Sequence, residues 1–170
     1  YGGGVYADTV VMDNCIVAGN TVAGAGAAGG GVFSVGGRDT GNNTSVIRHS
    51  SVTENRIAGL FAYGGGVYSD GGGIGKRKTL ALTNTTIARN LVEPLPGLPP
   101  FMYGIGYWRG GGAYMSNGYM SIHGCTIVEN QVNADTEQGA GTHGTTVLNS
   151  IVCWNYPDNC SGGTVSHTWT

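Results

Sequence analysis

The chain contains five copies of an eleven-residue block in which apolar side chains recur at fixed positions. Aligned without gaps, the blocks occupy residues 10–20, 45–55, 80–90, 120–130 and 145–155. The third and eighth positions are apolar in every copy, and the eleventh is always asparagine. On either side of the fifth position, every second residue is expected to face inward. This alternation predicts two short strands joined by a one-residue corner.

The fifth and eleventh positions add detail to this prediction. The fifth holds residues that tolerate left-handed backbone geometry, namely Asn14, His49, Asn84, Gly124 and Asn149. The asparagines of the eleventh position are expected to form an amide ladder, in which each side chain bonds to the next along the stack. The ladder comprises Asn20, Asn55, Asn90, Asn130 and Asn155.

A glycine triplet precedes each block at a variable distance. "YGGGVY" stands at 1–6 and again at 63–68, with "GGGVF" at 29–33, "GGGAY" at 110–114 and the degenerate "GAGTH" at 139–143. Glycine loses more chain entropy on ordering than any other residue, so its repetition indicates a tight backbone position that recurs in space. Glycine clusters also interrupt every possible helical run.

Triplet and block together make a unit of roughly 25–45 residues, a period typical of solenoids. The sequence therefore predicts an all-β fold, a parallel β-helix of about five coils. We expect one domain over residues 1–170, with insertion loops near 34–44, 69–79 and 91–109. Because the chain begins at Tyr1 without an initiator methionine, we expect it to be a segment of a longer protein.

Composition separates this chain from disordered glycine-rich segments. It has 33 glycines among 170 residues, but 40% of the chain is apolar, 11% is charged and the formal net charge is −2. Disordered chains combine low hydrophobicity with high charge, so this chain is expected to fold. The near-neutral charge gives no electrostatic reason to bind nucleic acid. No apolar run approaches the roughly 20 residues of a membrane span.

The repeat resembles a known architecture. "GGGVY" followed by "LTNTTIARN" or "IHGCTIVEN" is similar to the right-handed parallel β-helix repeats of secreted and surface-exposed bacterial proteins. It also resembles the paired GGA[ILV] and FxxN repeats of the polymorphic outer-membrane autotransporter family, with valine or isoleucine in place of phenylalanine and a third glycine in place of alanine. The resemblance implies an extracellular or cell-surface location and a right-handed coil, in line with the general preference for right-handed crossovers.

The four cysteines divide into two pairs. Cys15 and Cys125 share the sixth block position but lie three coils apart, about 14 Å if each coil rises ~4.8 Å, so they are expected to be free. Cys153 and Cys160 flank "WNYPDN" and are predicted to form a disulfide after the last block. Such a disulfide would indicate an oxidising compartment.

The longest insertion concentrates aromatic residues and prolines within residues 91–112. Prolines stiffen the loop, and exposed aromatic rings beside an arginine suit a sugar ring or a protein hot spot. The candidate ligand-binding residues are Phe101, Tyr103, Tyr107, Trp108 and Arg109. The alternative is that the loop folds back and buries its own rings.

A second aromatic series follows the glycine triplets. It consists of Tyr6, Phe33, Tyr68, Tyr114 and, in the last copy, His143. The residues just before it, such as Val67, form an equally regular series. The sequence therefore leaves open whether the Val67 series or the Tyr68 series faces the core.

Catalytic chemistry has little support in the sequence. An enzyme acting on polysaccharide needs a pair of carboxylates, or a calcium-binding cluster beside a base. Asp8 and Asp70 follow their "VY" at the same offset, two coils apart, but turn formation explains both. Lys76, Arg77 and Lys78 are interpreted as a solvated loop tip. We therefore expect no catalytic residue, no metal site and no cofactor.

Three functions remain open at this point. The first is a non-catalytic extracellular adhesin, spacer or binding scaffold whose partner is a polysaccharide or another surface protein. The second is a fragment of a polysaccharide lyase or glycoside hydrolase. The third is a structural protein that associates end to end, since a β-helix exposes unpaired strand edges unless caps cover them.

Overall fold

The computed structural model describes residues 2–36, 43–71, 78–99, 102, 106–133 and 137–170. The described residues form 23 β-strands, numbered here in chain order, and the strands assemble into four sheets. Each strand from β1 to β15 pairs with the strand five places later in the chain. The all-β prediction is thereby confirmed.

The largest sheet has ten described strands in two neighbouring stacks. The first stack is β1 (Val5–Ala7), β6 (Val32–Val35), β11 (Val67–Asp70) and β16 (Ala113–Ser116). The second is β2 (Val11–Asp13), β7 (Asn43–Arg48), β12 (Lys78–Thr83) and β17 (Gly118–His123). The two stacks are joined by the long strands β21 (Thr142–Leu148) and β23 (Cys160–Ser166).

Three smaller sheets complete the arrangement. The second sheet is β3 (Ile16–Ala18), β8 (Ser51–Thr53), β13 (Thr86–Ala88), β18 (Thr126–Val128) and β22 (Ile151–Cys153). The third is β4 (Thr21–Ala23), β9 (Arg56–Gly59), β14 (Leu91–Pro94) and β19 (Gln131–Val132). The fourth is β5 (Gly26–Ala28), β10 (Phe61–Tyr63), β15 (Tyr107–Arg109) and β20 (Glu137–Gln138).

Every strand pair in the described part of the chain is parallel. The register follows the sequence alignment, since Met12 pairs with Ile47 and Val17 with Val52. Five successive strands, one for each stack, therefore make one structural repeat. This arrangement is consistent with a β-solenoid.

The one-residue corner at the fifth block position is confirmed. All five residues there have left-handed backbone angles: Asn14 (φ 53°), His49 (49°), Asn84 (48°), Gly124 (63°) and Asn149 (47°). A second left-handed series, which the sequence did not predict, occupies the tenth position: Gly19 (φ 68°), Glu54 (57°), Arg89 (55°), Glu129 (56°) and Trp154 (56°). Each block thus turns twice, once on either side of its second strand.

The interior is lined by the apolar block positions together with the residue that follows each triplet. Ile47, Leu82 and Ile127 have no exposed surface, and Val67 packs with them in the same cluster. The Val67 series therefore faces the core. Tyr68 belongs to a separate cluster, because successive residues of a strand point to opposite faces of the sheet.

The eleventh-position asparagines form a continuous ladder of hydrogen bonds. The Asn55 side-chain Nδ2 donates to Oδ1 of Asn90 at 2.9 Å, and Asn90 donates to Asn130 at 2.8 Å. The backbone N–H of each asparagine donates to the same oxygen, while Nδ2 also reaches a carbonyl such as that of Val52. Asn20 and Asn155 extend the ladder in both directions. The side-chain amides of the ladder are thereby hydrogen-bonded, as buried polar groups must be.

One triplet, residues 64–66, explains why three glycines recur. Gly64 has a φ of 65°, and a Cβ there would lie 2.8 Å from Cβ of Tyr68. A Cβ on Gly65 would lie 2.5 Å from the carbonyl oxygen of Gly111 in the next repeat. A Cβ on Gly66 would lie 2.9 Å from Nδ2 of Asn90. The triplet therefore fits between the ladder inside and the tyrosine outside.

The sixth block position caps the first corner of each block. Side-chain hydroxyls or thiols there donate to the carbonyl two residues earlier, in Cys15, Ser50, Thr85, Cys125 and Ser150. Ser50 and Ser150 also accept hydrogen bonds from the backbone N–H groups of Cys15 and Cys125. Both cysteines are free thiols. Their role is that of a serine or threonine at a turn.

The chain after the fifth block begins another repeat, which the sequence alignment had missed. In β23, Val165 pairs with Val147 of β21, and Trp169 forms a bridge with Ile151. His167 has a φ of 49°, like the other corner residues. The alignment failed because the spacing between these two repeats falls to 18 residues, from Thr142 to Cys160.

Candidate functional site

Strand β15 carries three of the predicted ligand-binding residues, and they alternate between its two faces. Trp108 points inward, has no exposed surface and donates a hydrogen bond from Nε1 to the Gly59 carbonyl at 2.9 Å. Trp108 is therefore a core residue rather than the exposed contact that the sequence predicted. Its indole packs in a buried cluster that includes Ala62, its strand neighbour on β10, and Val92. Tyr107 and Arg109 point to the opposite, outer face.

The outward residues of β10 and β15 make a compact group. Tyr107 is 49% exposed, and its ring stacks on that of Phe61 with centroids 6.1 Å apart. The guanidinium carbon of Arg109 lies 5.3 Å from the centroid of the Tyr107 ring, a cation–π distance. Tyr63 is the strand neighbour of Arg109. We call Phe61, Tyr63, Tyr107 and Arg109 the aromatic face.

The aromatic series that follows the triplets forms a row of contacting rings on the outside of the first stack of strands. Ring centroids of successive members lie 4.8–5.3 Å apart. The row runs through Tyr6, Phe33, Tyr68, Tyr114 and His143, and we call it the aromatic row. Its three middle members are buried by one another, while Tyr6 is exposed.

Tyr63 connects the aromatic face to the aromatic row. Its ring lies 5.2 Å from that of Tyr114 and 5.8 Å from that of Tyr68, in both cases stacked. The backbone turns between these strands at Gly64. A continuous aromatic surface therefore covers the outside of the corner that the triplet 64–66 forms.

Burial controls the ionisation of this surface. It raises the pKa of the Tyr68 hydroxyl far above its ordinary value, and it raises the pKa of Tyr63 as well. The pKa of His143 is lowered, first by burial and then by the nearby charge of Arg109. At neutral pH Tyr63, Tyr68 and His143 are therefore uncharged, whereas Arg109, the strand neighbour of Tyr63, is a cation.

Two of the predicted residues, Phe101 and Tyr103, lie outside the described residues. Phe61 and Tyr63 were missed, although the sequence carried a signal for them. "FAY" and "YWR" stand at the same offset before the triplets at 64–66 and 110–112, so aligning backward from the glycines would have paired Phe61 with Tyr107. The insertion between β14 and β15 hid this correspondence.

Lys78 is not part of a solvated loop tip, as the sequence had suggested. Only 1% of its surface is exposed, and its ammonium donates to the Val35 carbonyl at 2.7 Å and to the Asp8 carbonyl. Burial lowers its pKa, which the carboxylates of Asp8 and Asp70 oppose. Lys78 thus ties three repeats together through backbone carbonyls. Lys76 and Arg77 lie outside the described residues.

The disulfide predicted between Cys153 and Cys160 is absent, and both are free thiols. The alternation of the strands explains why. Val152 points into the main core, so its neighbour Cys153 lies on the outer face of β22. Cys160 packs against the main core from the inside of β23. The two sulfur atoms therefore lie on opposite faces of the strands.

A shallow groove follows the fifth-position corners and is lined by polar residues, among them Asn14, His49 and Asn84. Asp13 forms an ion pair with Arg48 at 2.9 Å and a hydrogen bond with Nδ1 of His49 at 3.0 Å. These two contacts lower the pKa of Asp13. Because the polar groups of the groove bond to one another, the aromatic face remains the stronger candidate site.

Comparison with protein families, with curated proteins and with solved structures found no match to this chain. Among the residues that the structure describes, no helix has the length and apolar character needed to cross a membrane. The same residues contain no group of three or more His, Cys, Asp or Glu side chains arranged to hold a metal ion.

Proposed function

We propose that this chain is a right-handed parallel β-helix of about five coils that serves as a non-catalytic binding scaffold. We further propose that it acts outside the bacterial cell or on its surface, and that the aromatic face binds glycan. Five stacks of parallel strands in a constant register support the β-helix. The right-handed coil rests on the general preference for right-handed crossovers.

The observation that carries the glycan proposal is the outward stacking of Tyr107 on Phe61. Aromatic rings present a flat apolar surface with a polar edge, which suits the apolar face of a sugar ring. The rings project from the paired strands β10 and β15 rather than from a loop. On the inner face of β15, the buried Trp108 holds that strand in place through its hydrogen bond to the Gly59 carbonyl. A site built on rigid strands loses little entropy when a ligand binds.

The test is retention of the chain on a panel of immobilised bacterial and plant polysaccharides. We expect at least one polysaccharide to retain the protein, and Tyr107→Ala to weaken its binding about tenfold, or ~1.4 kcal/mol. The matched control is Tyr119→Ala, since Tyr119 is 59% exposed but belongs to β17 in a different sheet. The control should bind like the parent protein.

The same samples address the two other functions. New reducing ends or unsaturated products released from the polysaccharide would contradict the non-catalytic proposal. Sedimentation velocity without glycan would detect end-to-end association, which would favour a structural role if no polysaccharide retains the chain. Equal loss of binding in Tyr107→Ala and Tyr119→Ala would exclude the aromatic face as the site.

A further inference from the structure

We propose that the aromatic face selects acidic polysaccharides, because Arg109 is placed to form an ion pair with carboxylate or sulfate groups of the glycan. This inference rests on the proposed function and adds the chemical class of the ligand. It depends on where Arg109 lies, on what it contacts and on how it differs from the other arginines.

The position of the Arg109 side chain is fixed by its strand and by the residues around it. It directly follows Trp108, whose indole is locked in the core by the bond to Gly59, and it is half-buried between strand neighbours. Its guanidinium lies over the ring of Tyr107. A guanidinium stacked on a ring keeps its N–H donors at its edge, where they can bind both oxygens of a carboxylate.

The other described arginines already have anionic partners within the chain. Arg48 pairs with Asp13, Arg56 with Glu93, and Arg89 with Glu54. Arg109 forms no ion pair with any residue whose side chain the structure describes. Among the side chains that the structure describes, Arg109 is thus the arginine that has no carboxylate partner to give up when an external anion binds.

Among the side chains that the structure describes, those around Arg109 carry little opposing charge. Its nearest titratable neighbours on the aromatic surface are tyrosines and His143, which is uncharged at neutral pH. The negative charge of Asp158 raises the pKa of His143, against the larger lowering by burial. Oδ1 of Asp158 accepts a hydrogen bond from the Ala140 N–H at 2.9 Å. Although the whole chain has a net charge of −2, Arg109 gives the aromatic face a local positive charge that can attract an anionic glycan.

The experiment compares pairs of polysaccharides that differ only in charge. Alginate is measured against carboxyl-reduced alginate, and dextran sulfate against dextran, by affinity electrophoresis or calorimetry. The parent protein should bind the charged member of at least one pair about tenfold more tightly. The pair that discriminates identifies carboxylate or sulfate as the recognised group.

The variants assign this preference to one residue. Arg109→Gln should abolish the preference while the neutral polysaccharide still binds, and Arg109→Lys should retain part of it. Arg89→Gln is the control, because Arg89 is an exposed arginine at a second corner and already has carboxylate partners. This variant should show the same charge preference as the parent protein. Thermal unfolding verifies that each variant is folded.

Three results would overturn the inference. Equal binding of charged and neutral members by the parent protein would refute acid selection and leave the proposed function intact. A charge preference that survives in Arg109→Gln would refute the role of Arg109. Absence of binding to every polysaccharide in both assays would refute the proposed function itself, and this inference with it.

Discussion

The amide ladder inside the molecule and the aromatic row outside it both contribute one residue to each repeat, yet only the ladder is uniform. The ladder holds asparagine at every rung, whereas the row holds tyrosine, phenylalanine and histidine. Hydrogen bonds to both a neighbouring amide and a carbonyl require one length and one functional group. Ring stacking requires only a flat π-surface, so the row can vary without disturbing the fold.

The two series meet at the glycine triplets. The third glycine, as in Gly66, contacts the asparagine of the ladder, and the first glycine, as in Gly64, contacts the residue of the row. Each triplet thus lies between a buried series of side chains and an outer series. This separation of roles predicts that changes to the ladder reduce stability, while changes to the outer surface alter binding or pH dependence.

The largest expected effect is at the centre of the ladder. Asn90→Leu keeps the size of the side chain but removes the Oδ1 that accepts from the backbone N–H and Nδ2 of Asn55, and the Nδ2 that donates to the Val52 carbonyl. Each unsatisfied buried group costs ~1–3 kcal/mol, so the free energy of unfolding should fall by about 3–5 kcal/mol. Urea unfolding monitored by circular dichroism measures this. Asn133→Leu, at an exposed asparagine, should change stability little.

The next effect tests the contact between triplet and ladder. In Gly66→Ala the new Cβ would lie 2.6 Å from the carbonyl oxygen of Gly112, so backbone must shift. We expect a loss of about 2–3 kcal/mol from overpacking. Gly26→Ala is the matched control, because nothing lies within 4 Å of a Cβ there. It should be neutral or stabilise the protein by up to ~1 kcal/mol. Equal losses in both variants would refute the packing explanation.

These contrasts also explain how far the sequence could predict the structure. The first corner was predictable because asparagine and glycine at the fifth position favour left-handed geometry. The second was not, since Glu54, Arg89 and Trp154 have no such preference, and the ladder asparagine that follows each of them fixes the turn. Local residue type signals the first corner, whereas tertiary hydrogen bonding imposes the second.

The candidate site was predictable only in part, for a similar reason. The sequence indicated an aromatic surface near Tyr107 and Arg109, but the face of Trp108 depends on the strand register, which the insertion before β15 obscures. The predicted disulfide between Cys153 and Cys160 was wrong for the same reason, because the two side chains lie on opposite faces of their strands. Spacing along the chain does not reveal which side of a strand a residue occupies.

A smaller effect on stability is expected from Tyr68 of the aromatic row, and only at high pH. The folded state raises the pKa of Tyr68 above the ordinary value of 10.0, so the folded protein retains a proton that the unfolded chain loses. Stability should be unaffected below pH 10 and should fall above it, by up to about 1.4 kcal/mol per pH unit. Tyr68→Phe should flatten this alkaline decline, whereas Tyr119→Phe should leave it unchanged. Urea unfolding measured over roughly pH 8 to 11, on both sides of that ordinary value, provides the comparison.

The smallest effect concerns Arg89, which lies at a second corner and bridges Glu54 at 3.2 Å and Glu129 at 3.8 Å. All three side chains are largely exposed, so the ion pairs contribute less than about 1 kcal/mol. The left-handed backbone there costs a non-glycine residue roughly 1–2 kcal/mol. Arg89→Gly should therefore equal or exceed the parent in stability, and Arg89→Ala should be slightly less stable. If Arg89→Gly instead proved less stable than the parent protein, by as much as Arg89→Ala, the charged column rather than the ladder would be what holds this corner.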